Sequence, residues 1–169
     1  MARLSSEISK WTAKPVALLG QKMTQPDMET GGTVCMKEYT YALYSTDSGS
    51  DNSSARPGTV VAYVEGAYGE VNADLSRTGA VNAIAGVLPH TATVDYYGWI
   101  QSGGYCSAVR TDGNAVNGSI LAATASDAGI AGVYDNTGTD ALAVLGYALV
   151  TDADSGDAGT SCPAMLQIR

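Results

Sequence analysis

A chain of 169 residues is the length of one domain with a single sizeable core, and two full domains would be cramped in it. Hydrophobic residues make up 45% and charged ones only 15%, with 20 glycines, 10 tyrosines and no phenylalanine, a composition that favours strands and turns over long helices. The formal charge of −8 is uneven: Arg3, Lys10, Lys14, Lys22 and Lys37 against Glu7, Asp27 and Glu29 give residues 1–37 a net +2, so the remainder carries −10 and repels nucleic acid.

Residues 1–32 contain Pro15, Pro26 and Gly31-Gly32, with sparse apolar groups and no sustained helical period. That describes an extended N-terminal arm, with room for one helical turn over Leu4–Trp11. A basic arm on an acidic body suits docking to an acidic protein surface, and it equally fits a solvated tail. Trp11 is a large aromatic in polar surroundings and needs somewhere to bury, either in a partner or on its own domain. The apolar run Val16–Leu19 is too short for a signal peptide, and no other segment approaches membrane-spanning length. We therefore expect no membrane partner and assembly in a cytoplasm.

The β-rich body, residues 33–169, opens with TVCMKEYTYALY, whose Val34, Met36, Tyr39, Tyr41 and Leu43 come close to the alternation of a half-buried strand. Residues 45–58, rich in Ser, Asp and Asn and closing on Pro57-Gly58, read as a long exposed loop. Short strands follow at 59–65, 69–75, 80–88, 92–104, 105–111, 119–125, 128–135, 141–151 and 163–169, the spacing of a small β-barrel or β-sandwich. Gly66, Gly79, Asp112-Gly113 and Asn117-Gly118 supply turns. Around Asp140–Ala148 a helix competes with a strand, and Gly146 and the valines favour the strand.

Gly58-Thr59-Val60-Val61-Ala62 leads to Ala85-Gly86-Val87, and Gly118-Ser119-Ile120-Leu121-Ala122 leads to Ala131-Gly132-Val133. The spacing differs between the two, so this reads as a recurring strand-turn-strand device and not a repeat array, with each Ala-Gly-Val glycine marking a bulge or bend.

Chemistry finds little footing. The only histidine, His90, rules out a multi-histidine metal site within one chain and, following Pro89 in a loop, reads as a solvated side chain and not as the base of a triad. Asp152, Asp154 and Asp157 lack the closing glutamate of a calcium loop and read as a solvated acidic turn. No phosphate loop, dinucleotide fingerprint or GxSxG elbow is present. A carboxylate pair assembled only by the fold stays open. Cys35, Cys106 and Cys162 have no metal or disulfide spacing and read as small apolar side chains. We expect no catalytic residue, no metal and no cofactor. In Tyr96-Tyr97-Gly98-Trp99-Ile100-Gln101, Tyr97 and Trp99 share one strand face. They form either the core, with Trp99 filling the middle of a barrel, or an exposed stripe for glycans, and the core is favoured because Tyr and Trp combine large apolar area with a polar tip.

The order of parts resembles a family: capsid decoration, head-cement and head-fibre proteins of tailed phages. The resemblance runs through Glu38-Tyr39-Thr40-Tyr41, Pro57-Gly58-Thr59-Val60-Val61, Ala80-Val81-Asn82-Ala83-Ile84-Ala85-Gly86-Val87, Tyr97-Gly98-Trp99-Ile100-Gln101-Ser102-Gly103-Gly104, Gly118-Ser119-Ile120-Leu121 and Leu145-Gly146-Tyr147-Ala148. It covers residues 33–169 and leaves the arm unmatched. It implies a compact, β-tulip-like domain, a homotrimer on the outer capsid surface of the virion, with the major capsid protein as partner and no enzymatic activity. Lys10, Trp11 and Lys14 would be the capsid contacts of the arm, an aromatic anchor flanked by charges. The alternative is a tail or fibre module that grips glycans.

Overall fold

The computed structural model describes residues 10–28, 34–45, 55–73, 83–123, 129–134, 143–151 and 160–168. Ten strands are present: β1 (Lys22–Met28), β2 (Val34–Tyr44), β3 (Val60–Tyr63), β4 (Glu70–Asn72), β5 (Ile84–Val87), β6 (Tyr96–Thr111), β7 (Ile120–Ala123), β8 (Ala131–Val133), β9 (Val144–Ala148) and β10 (Thr160–Gln167). Among the described residues there is no helix, in keeping with the glycine-rich, valine-rich composition. Residues 144–148 are strand, as their valines and Gly146 favour. The central part of the expected 45–58 loop and the acidic turn at Asp152, Asp154 and Asp157 lie outside the described residues.

All ten strands hydrogen-bond into one sheet, in the order β1-β2-β4-β3-β5-β6-β10-β9-β7-β8, and further pairings of β2 with β6 and β6 with β8 turn it back on itself. The pairings trace two circuits that share β6. One runs β2-β4-β3-β5-β6 and returns to β2, the other runs β6-β8-β7-β9-β10 and returns to β6. Each has a narrow seam, Val87 opposite Gln101 in the first and Thr111 opposite Ala131 in the second.

The two circuits are copies of one arrangement. In the first, Val60 pairs with Val87, Val61 with Gly86 and Ala62 with Ile84, with a bulge that skips Ala85. In the second, Ile120 pairs with Tyr147, Leu121 with Gly146 and Ala122 with Val144, with a bulge that skips Leu145. Ala62 faces Asn72 and Tyr63 faces Val71, while Ala122 faces Gly132 and Ala123 faces Ala131. The Gly58 amide donates to the Leu88 carbonyl and the Leu88 amide to Thr59; the Gly118 amide donates to Ala148 and the Ala148 amide to Ser119. Every one of these positions is shifted by 60, as 58 to 118 and 88 to 148. The sequence expectation of unequal spacing is thereby corrected. The counterpart of Ala85-Gly86-Val87 is Leu145-Gly146-Tyr147, not Ala131-Gly132-Val133. Gly86 and Gly146 are glycine for the same reason: a Cβ on either would run into the backbone carbonyl of the next strand, Gln101 or Met165.

Alternation sends successive side chains to opposite faces and makes three clusters. The first circuit encloses Ala42, Tyr44, Val61, Val71, Ala85, Leu88 and Ile100. The second encloses Val109, Leu121, Ala131, Leu145, Ala148, Cys162 and Ala164, joined by Val60, Ile84 and Val87 from the back of the first. Cys106 and Cys162 lie buried in this second cluster, and the Cys106 thiol donates to the Ala108 carbonyl at 3.3 Å. The third cluster stacks Tyr39, Tyr41 and Trp99 on the opposite face of β2 and β6 from Ile100. Trp99 was expected in the middle of the strand circuit; Ile100 takes that place, because the alternation of β6 sends Trp99 the other way.

Two further expectations change. Strands read separately at 92–104 and 105–111 are one 16-residue strand, β6. Gly104 has φ +80 against the Met36 carbonyl, and the buried Gln101 side chain donates to the carbonyls of Gly103 (3.2 Å) and Tyr105 (2.7 Å), so the chain bends there without leaving the sheet. Residues 22–28, read as part of the arm, form β1, antiparallel to β2 from Lys22 opposite Thr40 to Met28 opposite Val34. As an outer strand with exposed Lys22, Thr24 and Pro26, β1 needs no apolar period, and Pro26 is tolerated there.

Candidate functional site

Residues 10–21 lie along the body. The Thr12 amide donates to the Tyr97 carbonyl and the Tyr97 amide to Thr12, each at 2.8 Å. The Val16 amide donates to the Tyr41 hydroxyl at 2.9 Å, the Gly20 amide to the Tyr41 carbonyl, and the Tyr41 amide to Gln21. Ala17, Leu19 and Met23 cover the Tyr39–Tyr41–Trp99 cluster.

Trp11 is half-buried on its own chain. It meets Tyr44 edge-on at 6.0 Å and 76°, and its indole lies over Gly98, where an added Cβ would stand 2.5 Å from it. Of the two fates weighed for this ring, packing onto its own domain is the geometry found. Lys10 and Lys14 remain exposed. The apolar groups this segment offers to solvent are Val16 and Leu18, at 68% and 79% exposure, and Tyr68 at 80% stands beside Gly20. Lys10, Lys14 and Lys22 are exposed in the same stretch, and Lys22 and Tyr68 border one shallow depression. The weak sequence signal of the exposed pair was Val16-Ala17-Leu18-Leu19, in which Ala17 and Leu19 turn inward and Val16 and Leu18 outward.

The aromatic strand is structural. Tyr97 stacks on Tyr41 at 6.4 Å and 14°, and Trp99 meets Tyr41 edge-on at 5.0 Å with 6% of its surface exposed. Trp99 is thus closed to solvent, while Tyr96 and Tyr97 are half-buried. Two shallow depressions, of about 360 and 290 Å³, lie beside Lys22, Tyr63 and Tyr68 and beside Glu38, Ser102 and Gln167. In the second, the Ser102 hydroxyl accepts from the Thr40 hydroxyl at 3.1 Å. Among the described residues no group of three His, Cys, Asp or Glu is placed to hold a metal ion, and no helix is long and apolar enough to cross a membrane. No protein-family model matches the chain, and no curated protein is similar to it in sequence.

Proposed function

We propose that the chain is a structural protein of a tailed-phage virion: a decoration or cement protein that binds the outer surface of the capsid and stabilises the expanded shell. Its partner is the major capsid protein, its working form is a homotrimer, and it reaches the virion surface after assembly in the host cytoplasm. The two strand circuits are then a pair of small barrels fused along β6. The resemblance in the order of parts supports the family. The observation that carries the docking role is the exposure of Val16, Leu18 and Tyr68 in and beside a stretch that also exposes Lys10, Lys14 and Lys22; we take these groups together as one docking strip.

Large apolar side chains held in water by the backbone of a firmly pinned segment are suited to burial against a partner. Full burial of each contributes about 1.5–3 kcal/mol, and the segment is already ordered, so little entropy is lost on docking. The lysines steer a −8 chain toward an acidic surface, and many copies on one shell make a modest contact sufficient. Trp11 then acts as a positioning residue that holds the strip, while Lys10 and Lys14 keep the contact role. Co-sedimentation with empty expanded capsids tests this: the wild-type chain binds saturably, and the double variant Val16→Glu, Leu18→Glu loses at least about tenfold in affinity. No binding by the wild-type chain overturns the capsid assignment, and equal binding by the variant overturns the strip.

A further inference from the structure

The internal copy allows each face of one circuit to be compared with its counterpart. Val60, Ile84 and Val87 correspond to Ile120, Val144 and Tyr147 by the shared register. The first three are buried, at 0%, 3% and 0% exposure, because the second circuit packs its interior residues Val109, Leu121 and Leu145 against them. Their counterparts stand open at 47%, 47% and 37%. Val116 and Val150, in the turns that lead into β7 and out of β9, are exposed as well, at 53% and 44%. The described stretches that build it, 113–123, 129–134 and 143–151, contain no charged residue. An uncharged apolar face of this kind on an acidic chain marks an interaction surface.

We infer that the face of β7 and β9 carrying Ile120, Val144 and Tyr147 docks a second copy of this chain. The chain itself supplies the precedent: the equivalent face of the first circuit is covered by a unit of the same architecture. Unlimited head-to-tail stacking is blocked, because the receiving side of the first circuit is already taken by Trp11 and its flank by Ala17, Leu19 and Met23. The faces therefore meet one another around a symmetry axis and close a small oligomer. The chain carries a net charge of −8, so like charge opposes the approach of two copies and screening by salt strengthens association. This names a self-association contact in which the face meets its own copy about a twofold axis, and it rests neither on the homotrimer nor on the capsid assignment proposed above.

Sedimentation velocity of the full chain, without shells, tests it. The expected result is a closed oligomer of fixed mass at about 100 μM chain, tighter at high salt. Val144→Lys and Val144→Glu, checked for folding by circular dichroism, each weaken association at least about tenfold. Mixing the two restores it, because the substituted faces meet each other; Ile120→Lys and Ile120→Glu serve as the second pair. A wild-type chain that stays monomeric, variants that associate as the wild type does, or growth without limit as concentration rises would each overturn the inference. Shell binding by a strictly monomeric chain overturns this face alone, and association without shell binding overturns the capsid assignment alone.

Discussion

Replacing Trp11 by alanine separates its two roles. The ring is half-buried, and a tryptophan covers about 150–250 Å² when buried, so truncation returns about 100 Å² to water, worth about 2.5 kcal/mol at about 25 cal/mol per Å². The edge-on contact with Tyr44 adds about 0.5–1 kcal/mol, and residual compactness of the unfolded chain brings the net loss back to about 2 kcal/mol. With a urea slope of about 2 kcal/mol per M, the midpoint falls by about 1 M. Far-UV circular dichroism follows the sheet, and Trp99, the remaining tryptophan, reports on β6. Gly98→Val should cost a similar amount with Trp11 still present, since a side chain there occupies the seat of the indole, and Trp11 emission should move to the red. The reasoning fails if Trp11→Ala unfolds at the wild-type urea concentration while shell binding disappears, for then the ring is an anchor in the partner.

Leu18→Glu should leave the urea midpoint within about 0.5 kcal/mol of wild type and abolish sedimentation with shells, whereas Lys14→Glu should mainly slow binding and flatten its salt dependence. Equivalent positions of the two circuits should respond unequally: Ile84→Asp costs more than about 3 kcal/mol because it buries a charge, while Val144→Asp, at an exposed counterpart, costs less than about 1 kcal/mol. Gly104→Val, forced to adopt φ +80 against the Met36 carbonyl, should destabilise by about 2 kcal/mol or more, seen in the thermal midpoint. The Tyr44 hydroxyl is buried without a hydrogen-bond partner, and burial pushes its pKa up to about 12. The unfolded chain therefore loses this proton first, near its ordinary value of about 10, and stability present below that pH falls by about 2 kcal/mol as pH rises toward 12. Tyr44→Phe should change stability by less than about 1 kcal/mol near pH 7 and should remove that share of the alkaline loss, measured as the difference in urea midpoint between about pH 8 and about pH 11.

The short apolar strands were legible, because their valine and isoleucine content and the turn glycines mark them directly: Val60–Tyr63, Ile84–Val87, Ile120–Ala123 and Val144–Ala148 all lie inside their expected spans. What escaped has physical reasons. The outer strand β1 is mostly polar, so nothing in Lys22–Met28 distinguishes it from an arm until its pairing with β2 is seen. Gly103-Gly104 looks like a break, yet the Gln101 side chain and the positive φ of Gly104 carry β6 through it. The internal copy was half seen. Matching letters linked Ala85-Gly86-Val87 to Ala131-Gly132-Val133, whereas the shared register links it to Leu145-Gly146-Tyr147, and only a glycine held against a carbonyl is common to both. The open face of the second circuit was not legible for a related reason: Ile120, Val144 and Tyr147 have the same apolar character as buried Val60, Ile84 and Val87, and only packing separates them.

An image reconstruction of expanded shells, with and without the added chain, tests the proposed function most directly. Docking through the strip predicts extra density on the outer surface between capsid subunits, with Val16, Leu18 and Tyr68 against the shell and the face of Ile120, Val144 and Tyr147 joining neighbouring copies. Shells identical with and without the chain, or bound density in which residues 10–22 point into solvent, would contradict it.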